Sequence, residues 1–596
     1  MNKKGQEQIN QIGQAGSSVW KKLFLGLIIL LVLGGIIALV WHYWLSSYDR
    51  CDINKDGKID EKESAICEQT INNTIKTTCG DGLCRTKDGE TSKNCPEDCS
   101  DVAQNISCPN GECDEKELAQ GICPEDCGGS QLNLTNQTNQ NLSEYEDSPF
   151  GISAESISEN QEKEAILNDL GVRWMRPGIP WFDIEPTEGN FDFSAKDDYI
   201  NSMYVSNLKA VMTLSSSTPW DQCLCHNKCA CSMPIGGGRY ECFYIYCIQE
   251  NYKNYVKKAV ERYDGDSDYG CVVSAPDCYN AGDNQYPSSE TIEAIQNNPI
   301  KYWEVLNEPF SEGYWKSWVI GNVTTEYIDI LESSNEAIKE VCSDCKVVIG
   351  GLYDYVGGGS INKMTLEIIK FALEARDNPF DVMNFHSYGN RSNMVLSLDY
   401  FTQNYPDKEL IITEIALGAR DNRLEKDFAQ DLTRRYILSI GAGVRIIMWF
   451  PLIDDGTKYG EPGLVAADGT KRLNYYSYKL MTEKLEGSDW SNVQEVYNSE
   501  NVYAYKFINK QTNKPIYVVW WEYWNEPTLI TKQVSIPVSI SGNVKITESV
   551  PHFETGLLLQ NSGEVYPNFF DVENKQVSSE DISLTLGESP VYVEQA

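Results

Sequence analysis

The hydrophobic positions of this chain fall into three regimes. Residues 23–45 form one apolar run, interrupted by Trp41, His42, Tyr43 and Trp44 near its end. From Phe150 to about Gly487, short apolar runs alternate with stretches of helical period. Beyond residue 488 the runs shorten and alternate residue by residue. Each regime predicts a different architecture.

The middle regime holds eight strand candidates: 150–154, 172–176, 208–214, 301–307, 346–352, 381–386, 409–414 and 444–450. Helical patterns lie between them, among them Glu159–Leu170, Asn251–Arg262, Thr325–Val341, Lys363–Arg376, Leu424–Leu438 and Tyr475–Leu485. Eight strand–helix units predict an α/β fold, a (β/α)8 TIM barrel over residues 148–487. Asn501–Phe507 and Pro515–Trp520 typify the third regime, and residues 488–596 are expected to form a helix-free β-sandwich against the barrel.

The run at 23–45 would reach about 34 Å as a helix, enough for a bilayer core. Lys3, Lys4, Lys21 and Lys22 precede it, which predicts a cytoplasmic tail over 1–22 and an extracytoplasmic remainder. A cleaved signal peptide is the alternative, but its apolar region is usually shorter and no small-residue cleavage site follows Leu45. The expectation is a membrane-anchored protein held through an N-terminal transmembrane signal anchor.

Charge and cysteine usage narrow the partners. Lys+Arg 50 against Asp+Glu 87 gives a formal net charge of -37, a field that repels phosphate backbones and argues against nucleic acid. Twenty cysteines in tight clusters point to disulfides in an oxidising compartment. Thiolate metal sites are the rival, weakened by irregular spacing and by the chain's four histidines.

Residues 46–127 combine a calcium-type loop with two Cys repeats. Asp52, Asn54, Asp56, Asp60 and Glu63 stand at loop positions 1, 3, 5, 9 and 12 of an EF-hand. Gly57 allows the turn, and Lys58 would give its backbone carbonyl. A structural Ca2+ is therefore expected, flanked by Cys51 and Cys67. The loop resembles half of a dockerin-type module whose second copy is missing, which argues against a cohesin partner. Cys79–Cys84 with Cys95–Cys99, then Cys108–Cys113 with Cys123–Cys127, read as two small disulfide knots in a stalk, with zinc ligation as the rival and connectivity open. Residues 128–147 are a polar linker with sequons at Asn133, Asn136 and Asn141.

Two Cys-rich insertions interrupt the barrel. Thr218–Tyr246 follows the third strand, on the face where catalytic loops lie, and its disulfides would stiffen the cleft. Asp264–Pro299 precedes the fourth strand. Cys342 and Cys345 are close enough in sequence to pair locally.

The chemistry centres on two glutamates at strand ends. Glu308 closes Lys301–Pro309 behind Asn307, and Glu414 closes Glu409–Glu414. Carboxyls at the ends of separate barrel strands suit glycoside hydrolysis, which needs one acid and one nucleophile or base. An arginine beside one favours its anion and leaves the other to carry the proton. The same acid can later take a proton from water, so no cofactor is needed for catalysis. Glu304, deeper on the fourth strand, reads as a structural carboxylate.

Trp303–Pro309 with Ile412-Thr-Glu414 resembles the retaining glycoside hydrolases of clan A, with families 5 and 39 nearest in pattern. Gly171–Pro177, Trp181–Pro186, Gly189–Phe193, Asn384–Tyr388 and Met448–Phe450 extend the resemblance over roughly residues 148–487. It implies Glu308 as acid/base and Glu414 as nucleophile. Asn307 would bond the sugar hydroxyl beside the reacting carbon, and Arg176 would hold Glu414 ionised. Tyr388 would bond Glu414, His386 would line the reacting subsite, and Trp449 would form the sugar platform. The implied activity is retaining hydrolysis of β-linked oligo- or polysaccharides. The rival is a non-catalytic glycan-binding surface adhesion protein. The pattern names no sugar, linkage or protein partner.

Overall fold

A computed structural model describes residues 147–153, 161–226, 246–266, 287–310, 323–353, 363–418, 423–454, 462–526, 528–578 and 580–596. The expected tail, anchor, calcium loop, Cys repeats and nearly all of the linker lie outside these residues, as does most of the first Cys-rich insertion. Among the described residues no helix is long and apolar enough to cross a membrane.

Eight parallel strands close on themselves. They are β1 (Phe150–Ile152), β2 (Trp174–Met175), β3 (Lys209–Leu214), β4 (Tyr302–Val305), β5 (Lys346–Ile349), β6 (Val382–Ser387), β7 (Glu409–Ile415) and β8 (Ile447–Trp449). Each pairs with the next, and β8 returns to β1 through Phe150↔Ile447 and Ile152↔Trp449. Short segments at Gly178–Ile179 and Leu352–Tyr353 prolong the β2 and β5 edges. The strands are apolar on both faces because each is covered twice, by the barrel interior and by helices. β7 shows it, with Leu410 and Ile412 facing the helices and Ile411 facing inward.

The helices of nine or more residues follow in strand order: α1 (Gln161–Leu170), α2 (Ser194–Val205), α3 (Gln249–Tyr263), α4 (Ser289–Asn297), α5 (Val323–Val341), α6 (Lys363–Glu374), α7 (Arg391–Asn404), α8 (Glu425–Gly441) and α9 (Leu473–Leu485). α9 packs on both α8 and α1, closing the outer ring. The expected barrel is thus the observed one, and α4 lies inside the stretch read as an insertion. Ser288 starts α4 by accepting a hydrogen bond from the Thr291 amide, the N-cap its sequence offers. Cys342 and Cys345 form the expected local disulfide after α5.

The C-terminal region has two antiparallel sheets. One runs β9 (Gln494–Ser499), β10 (Val502–Ile508), β11 (Pro515–Trp521), β16 (Val591–Gln595), β13 (Gly542–Glu548) and β14 (Val572–Val577). The other pairs β12 (Lys532–Pro537) with β15 (Asp581–Leu586). Ala504, Val519, Ile536 and Leu584 belong to a core shared by the two sheets, as alternation in a sandwich requires. The other face of the larger sheet sends Tyr505, Phe507, Trp520 and Tyr592 into the barrel's own core. α8 is therefore buried from two sides, which is why even Arg434 and Arg435 are fully enclosed. The expectation of no helix in this region fails at α10 (Gly556–Asn561), a short turn capped by the Thr555 side chain.

Candidate active site

Alternation along the strands builds the site in layers. Val211, Val348, Val382, Ile411 and Met448 fill an apolar layer inside the barrel. Two residues nearer the C-terminal ends, the same inward parity gives Thr213, Asn384 and Thr413, joined by Glu304 and Arg176. Here the interior turns polar, and these side chains bond to one another.

Glu304 is the hub of this layer and is fully buried. Its Oε2 accepts from Arg176 Nε at 2.6 Å, and its Oε1 accepts from Arg176 Nη2 at 2.8 Å and Asn384 Nδ2 at 2.9 Å. Arg176 also donates from Nη1 to Glu414 Oε1 at 2.5 Å and from Nη2 to Asn307 Oδ1 at 2.7 Å. Burial disfavours the guanidinium charge, but Glu304 and Glu414 outweigh it and raise its pKa above the ordinary arginine value.

Local backbone irregularities aim the two glutamates. β4 ends at Val305, and Leu306 (φ 66) and Glu308 (φ 46) take left-handed conformations. Such positions cost about 1–3 kcal/mol each for non-glycine residues and persist where the surroundings enforce them. On β7 the register against β6 shifts between Asn384↔Ile411 and His386↔Glu414. That irregularity lets Thr413 and Glu414 both serve the site, whereas strict alternation would turn one of them away.

His386 bridges the pair. Its Nδ1 lies 2.8 Å from Glu308 Oε1 and 3.5 Å from Glu414 Oε2, and its Nε2 lies 3.0 Å from Thr413 Oγ1. One oxygen from each glutamate and a His386 nitrogen fall within 4.8 Å of one another. Burial works against the imidazolium, but the Glu414 charge and the bond to Glu308 prevail and raise its pKa. Tyr388 donates its hydroxyl to Glu414 Oε2. Burial and the Glu414 charge push that phenol well above its ordinary range, so it stays a donor. Glu414 therefore accepts at both oxygens, from Arg176 and Tyr388, while Glu308 faces His386.

Six of the seven sequence-derived site residues, Arg176, Asn307, Glu308, His386, Tyr388 and Glu414, meet in one network. Trp449 is the correction. It is fully buried, and its indole N–H donates to Pro462 O at 2.8 Å. On β8 it is Met448 that faces the interior, so Trp449 points between barrel and helices and offers no exposed face to a sugar. Asn384 and Thr413 were missed as site residues, although the parity of Asn384 with His386 could have found the first. His386 with two carboxylates has the donor types a metal takes, but Arg176 and Tyr388 already occupy both Glu414 oxygens.

Residues 154–228 match a family model for glycoside hydrolase family 42, described as beta-galactosidase. No curated protein sequence matches. Similar solved structures include a family 39 glycoside hydrolase from Bacteroides cellulosilyticus WH2, at 13% identity, covering 76% of this chain and 82% of that one, with a TM-score of 0.49. A glucosidase from Croceicoccus marinus has 11% identity, coverage of 75% and 96%, and a TM-score of 0.48. A family 30 subfamily 8 xylanase from Clostridium acetobutylicum has 13% identity, coverage of 75% and 96%, and a TM-score of 0.45. The family match and the paired carboxylates support a glycosidase.

Proposed function

We propose that the protein is a retaining glycoside hydrolase acting on β-linked oligo- or polysaccharides. The observation that carries this reading is the close, unequally partnered pair Glu308 and Glu414, with oxygens within 4.8 Å. A close approach of one oxygen from each carboxyl suits retaining enzymes, whose carboxyls stand about 5–5.5 Å apart, better than inverting ones, which leave about 6.5–9.5 Å for a water between them.

Glu414, held by Arg176 and Tyr388, attacks the anomeric carbon as Glu308 gives its proton to the departing oxygen. Glu308 then takes a proton from the water that hydrolyses the glycosyl–enzyme ester. With Oδ1 committed to Arg176, Asn307 offers a sugar hydroxyl its Nδ2 donors. His386 touches Glu308 and lines the reacting subsite. The proposal extends to an extracytoplasmic location with an N-terminal anchor at 23–45 and a structural Ca2+ at Asp52, Asn54, Asp56, Lys58, Asp60 and Glu63, on sequence grounds.

The test uses the chain from residue 46 onward with β-linked polysaccharides and aryl β-glycosides, beside Glu414→Ala. Proton NMR of the first-formed product reads the anomer. A β-product from wild type alone is expected. An α-product would overturn retention, and binding across the panel without hydrolysis would favour the adhesion protein.

A further inference from the structure

Behind Tyr388 lies a buried charge network that the hydrolytic chemistry does not use. Glu522 comes directly after β11 in the C-terminal sheet. Its carboxylate takes Nε of Arg391 at 3.0 Å and also Nη2, and it accepts from Trp520 Nε1 at 2.9 Å. Arg391 donates onward to Asp431, and Asp431 accepts from Arg435. Arg435 donates to Ser387 Oγ at 3.1 Å and to Gly389 O at 2.5 Å. Ser387 and Gly389 are the neighbours of Tyr388, the residue whose hydroxyl bonds Glu414.

Every member is enclosed, with side-chain exposure of 13% for Glu522, 10% for Arg391, 4% for Asp431 and 0% for Arg435. Buried ion pairs contribute little stability compared with apolar residues of similar volume, while breaking one is costly. What such a network supplies is fixed geometry, and here it ends on the Ser387 hydroxyl and the Gly389 carbonyl, on either side of Tyr388.

We propose that Glu522 of the C-terminal sheet is a positioning residue of the active site. Through Arg391, Asp431 and Arg435 it fixes the Ser387–Gly389 backbone and so holds the Tyr388 hydroxyl on Glu414. The sandwich is then part of the catalytic apparatus, and the barrel alone is incomplete. The kinetic part of this inference rests on the glycosidase reading above.

The experiment compares wild type, Glu522→Gln, Tyr388→Phe and the double variant by kcat and KM on an aryl β-glycoside. Crystal structures of wild type and Glu522→Gln accompany the kinetics. Glu522→Gln should lower kcat roughly ten- to a hundredfold, since small misplacements of catalytic groups cost this much. KM should stay within about twofold, because the network touches no sugar. The double variant should be no slower than Tyr388→Phe. Wild-type kcat in Glu522→Gln, or losses that multiply in the double variant, would overturn the proposal. If wild type hydrolyses nothing, the glycosidase reading fails, and the crystals decide alone: a Tyr388 hydroxyl displaced from Glu414 supports the positioning role, and an unmoved one sinks it. Should Glu522→Gln not fold, Glu522→Asp keeps the charge, withdraws the carboxylate by one methylene and is read by the same criteria.

Discussion

Arg176 and Glu304 form a two-point ion pair inside the barrel, with Nε–Oε2 at 2.6 Å and Nη2–Oε1 at 2.8 Å. The arginine's remaining Nη1 reaches Glu414. One side chain thus neutralises a fully buried carboxylate and holds the proposed nucleophile. Replacing it should cost both stability and activity, by separable routes. Arg176→Met leaves Glu304 buried without its cation, a change worth about 3–5 kcal/mol. Urea denaturation should show that loss. The double variant Arg176→Met/Glu304→Met should regain most of the stability but none of the activity, because Glu414 still lacks its cation. Recovery of hydrolysis in the double variant would show that Arg176 serves the fold alone.

In the proposed mechanism Glu308 carries the proton that the leaving oxygen needs, so the effect of removing it should depend on the leaving group. General acid assistance contributes about 10^2–10^4-fold. Glu308→Ala should lose about that much on an oligosaccharide. It should lose far less in the first step on a dinitrophenyl glycoside, whose phenolate departs unaided. Glu414→Ala should be inactive on both. Stopped-flow release of dinitrophenol separates the two variants, and equal losses on both substrates for Glu308→Ala would remove its role as acid.

Most of this site is legible in the sequence because strand ends and parity are local properties. Arg176, Glu308, His386, Tyr388 and Glu414 each close or follow a short apolar run, and the barrel brings such ends to one face. Trp449 misleads because strand 8 is three residues long and its parity cannot be read without a partner. Pairing with β1 and β7 decides it, and that pairing is non-local. The β7 irregularity that presents Glu414 beside Thr413 leaves no trace in the run Glu409–Glu414. The Glu522–Arg391 contact is invisible for the same reason: the partners lie 131 positions apart, in different domains. The calcium-type loop and the anchor are read from sequence alone, and they lie outside the described residues.

His386 gives the site a pH signature in stability. Its pKa is raised in the folded chain above the ordinary 6.5, because the Glu414 charge and the bond to Glu308 outweigh burial. A histidine whose folded pKa is raised binds its proton more tightly in the native state. The stability this supplies is fully present below about pH 6.5 and disappears as pH rises through the folded value. The gap in unfolding free energy between wild type and His386→Gln should therefore be widest near pH 5.5 and narrow toward pH 9. Denaturant titrations at those two pH values measure it. A gap that widens with pH would mean that His386 is neutral in the folded protein.

Gly351 leaves no room for a side chain against the site. A Cβ there would stand 2.1 Å from His386 Nε2 and 2.3 Å from its Cδ2, while the Gly351 amide donates to Glu304 Oε1 at 3.3 Å. The imidazole cannot retreat, since Glu308 and Thr413 hold its two nitrogens. Gly351→Ala should thus cost about 1–3 kcal/mol of stability, the usual range for overpacking. It should also lower kcat by roughly ten- to a hundredfold, because the displaced ring no longer orients Glu308. On a His386→Ser background the added methyl has room, and Gly351→Ala should then bring little further loss in either quantity. The coupling between the two positions separates a clash with His386 from a general disturbance of β5. Additive losses in the double variant would place the cost in the backbone instead of the ring.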